Sequence, residues 1–107
     1  MRRYGCVVGL DPQRREEYLA LHSAVWPEVE ARLSESHFTN YTIFIFGDQL
    51  FAYYEYTGDD YAADTAAIAA DPTTQRWWTF TDPCQVRLPG TPDGEQWATM
   101  TEVWHLD

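Results

Sequence analysis

The feature that most constrains the fold is a pair of β-branched and aromatic segments joined by a turn signal. The segments run from Asn40 to Phe46 and from Leu50 to Tyr56, with Gly47-Asp48 between them. Segments of this composition on either side of a glycine-containing turn predict a β-hairpin.

Both faces of the first hairpin strand are largely apolar, since successive residues of a strand point to opposite sides. The two sets are Tyr41, Ile43 and Ile45 on one side and Thr42, Phe44 and Phe46 on the other. A sheet with two apolar faces is covered on both sides. We expect helices on one face and a second copy of the chain on the other.

The remaining pattern predicts three helical regions and two more strands. A strand is expected from Tyr4 to Leu10, a helix from Gln13 that is interrupted at Pro27, a helix from Tyr61 to Ala70, a short helical piece capped by Thr73-Thr74, and a last strand from Ala98 to Leu106. Proline lacks the backbone N–H and disfavours helical geometry at the preceding residue. The first helix is therefore expected to restart at Pro27.

The order strand, broken helix, strand, strand, helix, strand is that of the α+β, ferredoxin-like split β-α-β fold with an antiparallel sheet. Residues 1–107 suffice for one domain and not for two. Because the helices cover only one face, two such sheets are expected to pair into a dimeric α/β barrel. We therefore predict a homodimer.

Charge and composition exclude several classes of partner. Seventeen acidic and seven basic residues give a net charge of −10, which argues against nucleic acid. The first apolar run ends at Asp11-Pro12, as a strand does and a signal peptide does not, and no segment is long enough to span a membrane. Cys6 and Cys84 are expected to be reduced, which indicates the cytoplasm.

The sequence contains no motif for metal, nucleophilic or phosphate chemistry. It has no paired cysteines, no His-x-x-x-His or His-x-His spacing, no glycine-flanked serine and no glycine-rich phosphate loop. We therefore expect no metal site.

Three rings that carry polar atoms recur at intervals of four residues in the first helical region. Tyr18, His22 and Trp26 would lie on one stripe, which is typical of a wall that faces a cavity. An imidazole titrates near neutral pH, so His22 is the candidate for proton transfer. The alternative is a histidine with only structural hydrogen bonds, and the spacing leaves both open.

Adjacent indoles at Trp77 and Trp78 point about 100° apart on a helix and cannot pack against the same patch. One of them is expected to meet a ligand or a partner. An indole face suits the C–H face of a sugar ring, and packing across a dimer seam is the alternative.

Several motifs in order resemble the L-rhamnose mutarotase family. They are Glu17-Tyr18, His22, Trp26-Pro27-Glu28, Asn40-Tyr41, Gln75-Arg76-Trp77-Trp78 and Met100-x-Glu102-Val103-Trp104. The resemblance covers nearly the whole chain. It implies a small dimeric ferredoxin-like protein that interconverts the α and β anomers of L-rhamnose, a monosaccharide, without a metal or organic cofactor.

The resemblance also implies the roles of five residues. His22 would be the catalytic acid/base, and Tyr18, Tyr41, Trp77 and Trp78 would bind the sugar. Ring opening requires a proton for the ring oxygen and a group that accepts the proton of the anomeric hydroxyl. His22 is expected to serve the ring oxygen, while the second carrier, a water or a carboxylate, stays open.

Three other functions remain compatible with the sequence. The first is mutarotation of L-fucose or another deoxy sugar, because the segment after the tryptophan pair departs from the family pattern. The second is a cofactor-free monooxygenase of the dimeric αβ-barrel type. The third is a sugar-binding module without catalysis.

Overall fold

An antiparallel sheet forms one layer of the protein, and four α-helices cover one of its faces. The computed structural model describes all 107 residues. The elements are β1 (Arg2–Leu10), α1 (Arg15–His22), α2 (Pro27–Glu35), β2 (Phe38–Phe46), β3 (Gln49–Tyr56), α3 (Tyr61–Ala70), α4 (Pro72–Thr81), β4 (Gln85–Val86) and β5 (Ala98–Met100). The α+β class is confirmed.

The strand order is that of the split β-α-β arrangement. Strands run β2-β3-β1-β4, and β5 also pairs with β1. β4 pairs with Gly9 and Leu10, whereas β5 pairs with residues 5–7 of the same strand. β4 and β5 therefore share the edge of β1 that a single fourth strand was expected to occupy.

The core lies between the sheet and the helices and is divided into two clusters. One cluster contains Cys6, Phe38, Ala52, Tyr54, Tyr56 and Ile68. The other contains Val8, Leu10, Tyr18, Leu50 and Cys84. Alternate residues of β1 and β3 supply both clusters, as the period of a half-buried strand requires.

A β-bulge in β2 changes which side chains face the helices. Thr39 pairs with Glu55, but Thr42 pairs with Tyr53, so two residues of β2 oppose one residue of β3. Asn40 at the bulge has φ 51°, in a left-handed conformation that asparagine tolerates. The extra residue lets buried Phe38 and the later odd-numbered residues of β2 share one face.

The break between α1 and α2 confirms the prediction made from Pro27. α2 begins at Pro27, and Trp26 precedes it with extended backbone, ψ 131°. α1 already ends at His22. Trp26 is therefore not on the same helix as Tyr18 and His22, and the expected stripe of three rings is limited to two residues of α1.

The end of the last strand and the cap of α4 differ from the predictions. The last strand ends at Met100 and not at Leu106, because only residues 98–100 pair with β1. α4 is capped by Asp71 and not by Thr73 or Thr74: the Asp71 carboxylate accepts from the Thr74 N–H at 2.9 Å. Pro72 then occupies the first turn, where its missing N–H costs no hydrogen bond.

The outer face of the sheet carries large apolar side chains exposed to solvent. Phe44 is 61% exposed and Phe46 is 80% exposed. Val103, Trp104 and Leu106, in the segment after β5, are also exposed, each more than Phe44. None of the four helices is long and apolar enough to cross a membrane.

Candidate active site

Two adjoining cavities lie between the helices and the sheet. The large cavity has a volume of about 650 Å³, and the small one has a volume of about 80 Å³. Five residues line both cavities: His22, Tyr41, Ile43, Trp77 and Trp78. These residues form the junction of the two cavities.

The structure brings together the five residues singled out in the sequence. His22, Tyr41, Trp77 and Trp78 lie at the junction, and Tyr18 lines the small cavity. They come from α1, β2 and α4, so residues 18 and 78 meet only in the folded chain.

His22 is held by its own helix in one orientation. Its Nδ1 lies 3.0 Å from the Tyr18 carbonyl oxygen. A carbonyl oxygen can only accept, so Nδ1 carries a hydrogen and Nε2 is the nitrogen left to exchange protons. The ring also stacks on Tyr18, with 4.2 Å between centroids, and meets Trp77 edge-on at 5.4 Å.

The surroundings of His22 favour the neutral imidazole. Burial lowers its pKa below 6.5, and the hydrogen bond to the Tyr18 carbonyl only partly opposes that shift. Once protonated, His22 is therefore a stronger acid than an ordinary histidine.

The two tyrosines of the site are protonated phenols at neutral pH. Burial raises the pKa of Tyr18 to about 12, against a lowering by its hydrogen bond to the Gln85 side chain, and Cys84 and Asp82 add smaller increases. Burial also raises the pKa of Tyr41, although 42% of that residue is exposed, because its hydroxyl end lies inside the protein. Both are suited to hydrogen bonding with hydroxyl groups and unsuited to accepting protons.

The adjacent indoles have different environments, as their 100° separation predicts. Trp77 is 6% exposed and packs edge-on against both His22 and Trp26. Trp78 is 37% exposed and makes no such ring contact within the chain. Trp77 therefore supports the imidazole, and Trp78 offers a free surface to a ligand.

Trp26 fills the break between α1 and α2 against Trp77 and Phe80.

Two carboxylates were not anticipated from the sequence. Glu30 lines the large cavity, and Asp82 lines the small one. Asp82-Pro83 is typical of a turn and by itself indicates no site. The signal that could have found Asp82 is its position four residues after Trp78, which places both on one helical face.

Metal coordination has no visible basis in the arrangement of side chains. No group of three or more histidine, cysteine, aspartate or glutamate side chains converges in a way that could hold a metal ion. Cys6 and Cys84 are both free and buried. The chemistry that the cavity junction offers is proton transfer and hydrogen bonding.

Comparison with known proteins points in one direction. A family model described as L-rhamnose mutarotase matches residues 3–106. The L-rhamnose mutarotase of Oceanobacillus iheyensis is 31% identical over 109 residues, and the alignment covers 100% of both chains.

Two further similar proteins are a solved structure and a mutarotase named for another sugar. The crystal structure of an L-rhamnose mutarotase from Formosa agariphila superposes with a TM-score of 0.77 at 23% identity over the full length of both chains. The L-fucose mutarotase of Xanthomonas campestris pv. campestris is 38% identical over 90 residues, which are 78% of this chain and 68% of that protein.

Proposed function

The chain belongs to the L-rhamnose mutarotase family, and from this membership we propose that it is an isomerase that interconverts the α and β anomers of L-rhamnose. The observation that carries the proposal is the cavity junction. One imidazole, one buried indole and one free indole converge there with the Tyr41 phenol. Such a junction combines a proton carrier with surfaces suited to a pyranose.

His22 is the proton carrier for the ring oxygen in this proposal. Its Nδ1–H is held by the Tyr18 carbonyl, so Nε2 donates the proton and later recovers it. Protonation of the ring oxygen weakens its bond to C1, and the ring opens to the aldehyde. Rotation about the C1–C2 bond followed by closure on the other carbonyl face yields the second anomer.

The other four residues hold the sugar. Trp78 provides a stacking surface, and Trp77 borders the same space while it supports His22. Tyr18 and Tyr41 donate or accept hydrogen bonds with sugar hydroxyls as neutral phenols. Orientation by several fixed groups is how a site keeps the open-chain sugar in place for reclosure.

L-Fucose is the second candidate substrate. A relative named L-fucose mutarotase matches 78% of the chain at 38% identity. L-Rhamnose and L-fucose are both 6-deoxy sugars, so the reacting atoms are the same and the hydroxyl configuration decides between them. The tyrosine hydroxyls are the groups that would sense that configuration.

Exchange NMR on the anomeric protons tests the reaction directly. L-Rhamnose, L-fucose and D-galactose are each mixed with wild-type protein, and the rate of α–β exchange is measured against buffer. We expect the largest acceleration with L-rhamnose. A greater acceleration with L-fucose would reassign the substrate. Quenching of tryptophan fluorescence by sugar without faster exchange would indicate a binding module.

We also propose that two copies pack through their outer sheet faces. The register aligns Phe44 with Phe51, Phe51 with Val7, and Val7 with Ala98, which makes an apolar row across the sheet. Phe44 and Phe46 are exposed on this face, and exposed clusters of large apolar side chains are typical of an interface. Light scattering after size exclusion should give a dimer, and Phe44→Asp should give a monomer. A wild-type monomer at micromolar concentration would contradict the pairing.

The cytoplasm is the compartment that we propose. The support comes from the two cysteines, which are free and buried in the folded chain. Unpaired thiols are usual in a reducing compartment.

A further inference from the structure

Mutarotation needs a second proton carrier besides His22, and an inference about that carrier rests on the function proposed above. One group protonates the ring oxygen while another accepts the proton of the anomeric hydroxyl. Burial raises the pKa of Tyr18 to about 12 and also raises that of Tyr41. Neither phenol is therefore an effective acceptor near neutral pH.

A water and a carboxylate are the remaining candidates, and two of the seventeen acidic residues line the two cavities. Glu30 lines the large cavity, whose lining lacks Tyr18. Asp82 lines the small cavity, whose lining includes all five residues of the proposed sugar site. Asp82 is therefore the carboxylate that lines the same cavity as all five residues of the proposed sugar site.

The backbone places Asp82 one helical turn beyond Trp78. Its N–H donates to the Trp78 carbonyl, and its φ of −59° and ψ of −41° continue the helical geometry past the end of α4. Residues four apart lie on the same helical face. The carboxylate and the exposed indole are thus on one side of α4, the side that lines the cavity.

We propose that Asp82 is the second catalytic residue, which accepts the proton of the anomeric hydroxyl while His22 protonates the ring oxygen. During opening, the Nε2–H bond of the imidazolium and the C1–O5 bond break as the new O5–H bond forms. The O1–H proton passes to the carboxylate, and the electron pair of that bond becomes the second bond of the C1 aldehyde.

Closure reverses both transfers after rotation about C1–C2. Neutral His22 removes the O5 proton, O5 attacks C1 on its other face, and the protonated Asp82 returns its proton to O1. The pair ends in the protonation state in which it began. No oxidant, reductant or other reagent is consumed.

The surroundings of Asp82 suit a group that exchanges protons. Asp82 forms no ion pair that would lock it as a carboxylate. The residue is exposed, yet desolvation is the largest influence on its carboxyl and raises its pKa, against a lowering by a hydrogen bond with Thr81. The titratable groups that face it across the cavity are Tyr18 and His22 from α1 and Tyr41 from β2.

A separate cluster joins Cys84, two residues after Asp82, to Glu17 and Arg14. The Cys84 thiol donates to Glu17 at 2.9 Å, and Arg14 contacts the same carboxylate at 3.3 Å. Glu17 is therefore engaged with its own partners. These groups line neither cavity.

The pair is active when it holds one proton, which predicts a bell-shaped pH profile. The rate falls as the pH drops through the carboxyl pKa, because a protonated Asp82 cannot accept. It also falls as the pH rises through the imidazole pKa, because neutral His22 cannot donate. The acid limb therefore belongs to Asp82 and the alkaline limb to His22.

The test measures anomeric exchange of L-rhamnose against pH for wild type, Asp82→Asn and Asp93→Asn. Asp93 lines neither cavity, so the control removes one carboxylate and leaves the site intact. We expect Asp82→Asn to reduce the maximal rate about 100-fold and to abolish the acid limb. Asp82→Glu should restore that limb, and sugar affinity measured by tryptophan fluorescence should change little.

The outcomes separate this inference from the proposed function. If wild type does not accelerate exchange, the mutarotase function is wrong. If wild type is active and Asp82→Asn behaves like Asp93→Asn, the function stands and the role of Asp82 is wrong. Should Asp82→Asn fold poorly, the wild-type profile decides, since a rate that does not fall in acid contradicts a carboxylate acceptor.

Discussion

His22 and His37 are both anchored through Nδ1 but differ in their exposure and in their position relative to the cavities. In each, Nδ1 is anchored at 3.0 Å, to the Tyr18 carbonyl for His22 and to the Asp64 carboxylate for His37. His22 is half-buried at the cavity junction. The side chain of His37 is 53% exposed and lines neither cavity.

The difference extends to the neighbouring aromatic residues. Near His37, the hydroxyls of Tyr54 and Tyr61 bond to each other, and that of Tyr56 donates to Asp64. Their polar atoms are thereby used within the protein. Near His22, Nε2 of the imidazole makes no such bond, and the phenols of Tyr18 and Tyr41 line a cavity, Tyr18 with a hydrogen bond to the Gln85 side chain. A polar atom without an internal partner at a cavity is available to a ligand, and Nε2 of His22 is such an atom.

The largest effect is expected when each of the two histidines is replaced by alanine in a separate variant. His22→Ala should slow anomeric exchange of L-rhamnose about 100-fold or more, because a general acid is lost. His37→Ala should retain the wild-type rate per folded molecule. Exchange NMR at equal protein concentration measures both variants. Equal losses in the two would show that location at the cavity does not distinguish the histidines.

Substitution of Trp77 and Trp78 tests whether one indole is a packed core ring and the other a surface for the ligand. Trp77→Ala should lower the free energy of unfolding by about 3–5 kcal/mol, since Trp77 is almost fully buried. Trp78→Ala should cost much less stability and weaken sugar binding about tenfold through lost stacking. Urea unfolding and a fluorescence titration measure the two effects. A stability loss as large at Trp78 would contradict its assignment as a free surface.

The pH dependence of kcat/KM should report the pKa of His22 and not that of His37. Burial lowers the pKa of His22 below 6.5, so the imidazolium is lost as the pH rises through that lowered value. The alkaline limb of kcat/KM should therefore have its midpoint below pH 6.5. His37→Ala should leave this midpoint in place. A midpoint above 6.5 would mean that the hydrogen bond to Tyr18 outweighs burial.

The smallest effect is expected in the His37 region and concerns stability. Hydrogen bonds from Tyr56 and then His37 lower the pKa of Asp64. The stabilisation of the folded state by the Asp64 carboxylate is fully present above the pKa of an unfolded aspartate. It is lost as the pH falls through the lowered pKa of the folded state. Asp64→Asn should therefore lower Tm by a few degrees at neutral pH and by less in acid.

Asp59→Asn is the matched control for this prediction, because Asp59 is exposed nearby and forms no side-chain hydrogen bond. Calorimetry at several pH values measures the difference. If the loss of Tm in Asp64→Asn became larger in acid, the predicted direction of the pH dependence would be wrong. Anomeric exchange by folded Asp64→Asn should match wild type.

Local chemistry made the hairpin, the helix break and α3 predictable. Pro27 can begin a helix but cannot continue one, and Asp60 caps α3 by accepting from the Ala63 N–H. The end of the last strand was not predictable, because residues 101–106 have strand-like composition but no neighbouring strand. Pairing is a property of the sheet and not of the segment alone.

The site was predictable where its residues lie close in sequence. Tyr18 and His22 are one helical turn apart, and their stacked rings follow from that spacing. The bulge that turns Tyr41 and Phe38 toward the same face depends on the register of β2 against β3. Asp82 escaped notice because Asp-Pro is a common turn signal, although the helix continues through it.

A crystal structure with L-rhamnose bound tests the central claim most directly. The quantity to measure is the distance from Nε2 of His22 to the ring oxygen of the sugar. The proposed chemistry predicts a pyranose against Trp78 with this distance about 3 Å, within reach of direct proton transfer. A sugar bound outside the cavity junction, or with a carbon facing Nε2, would contradict the account.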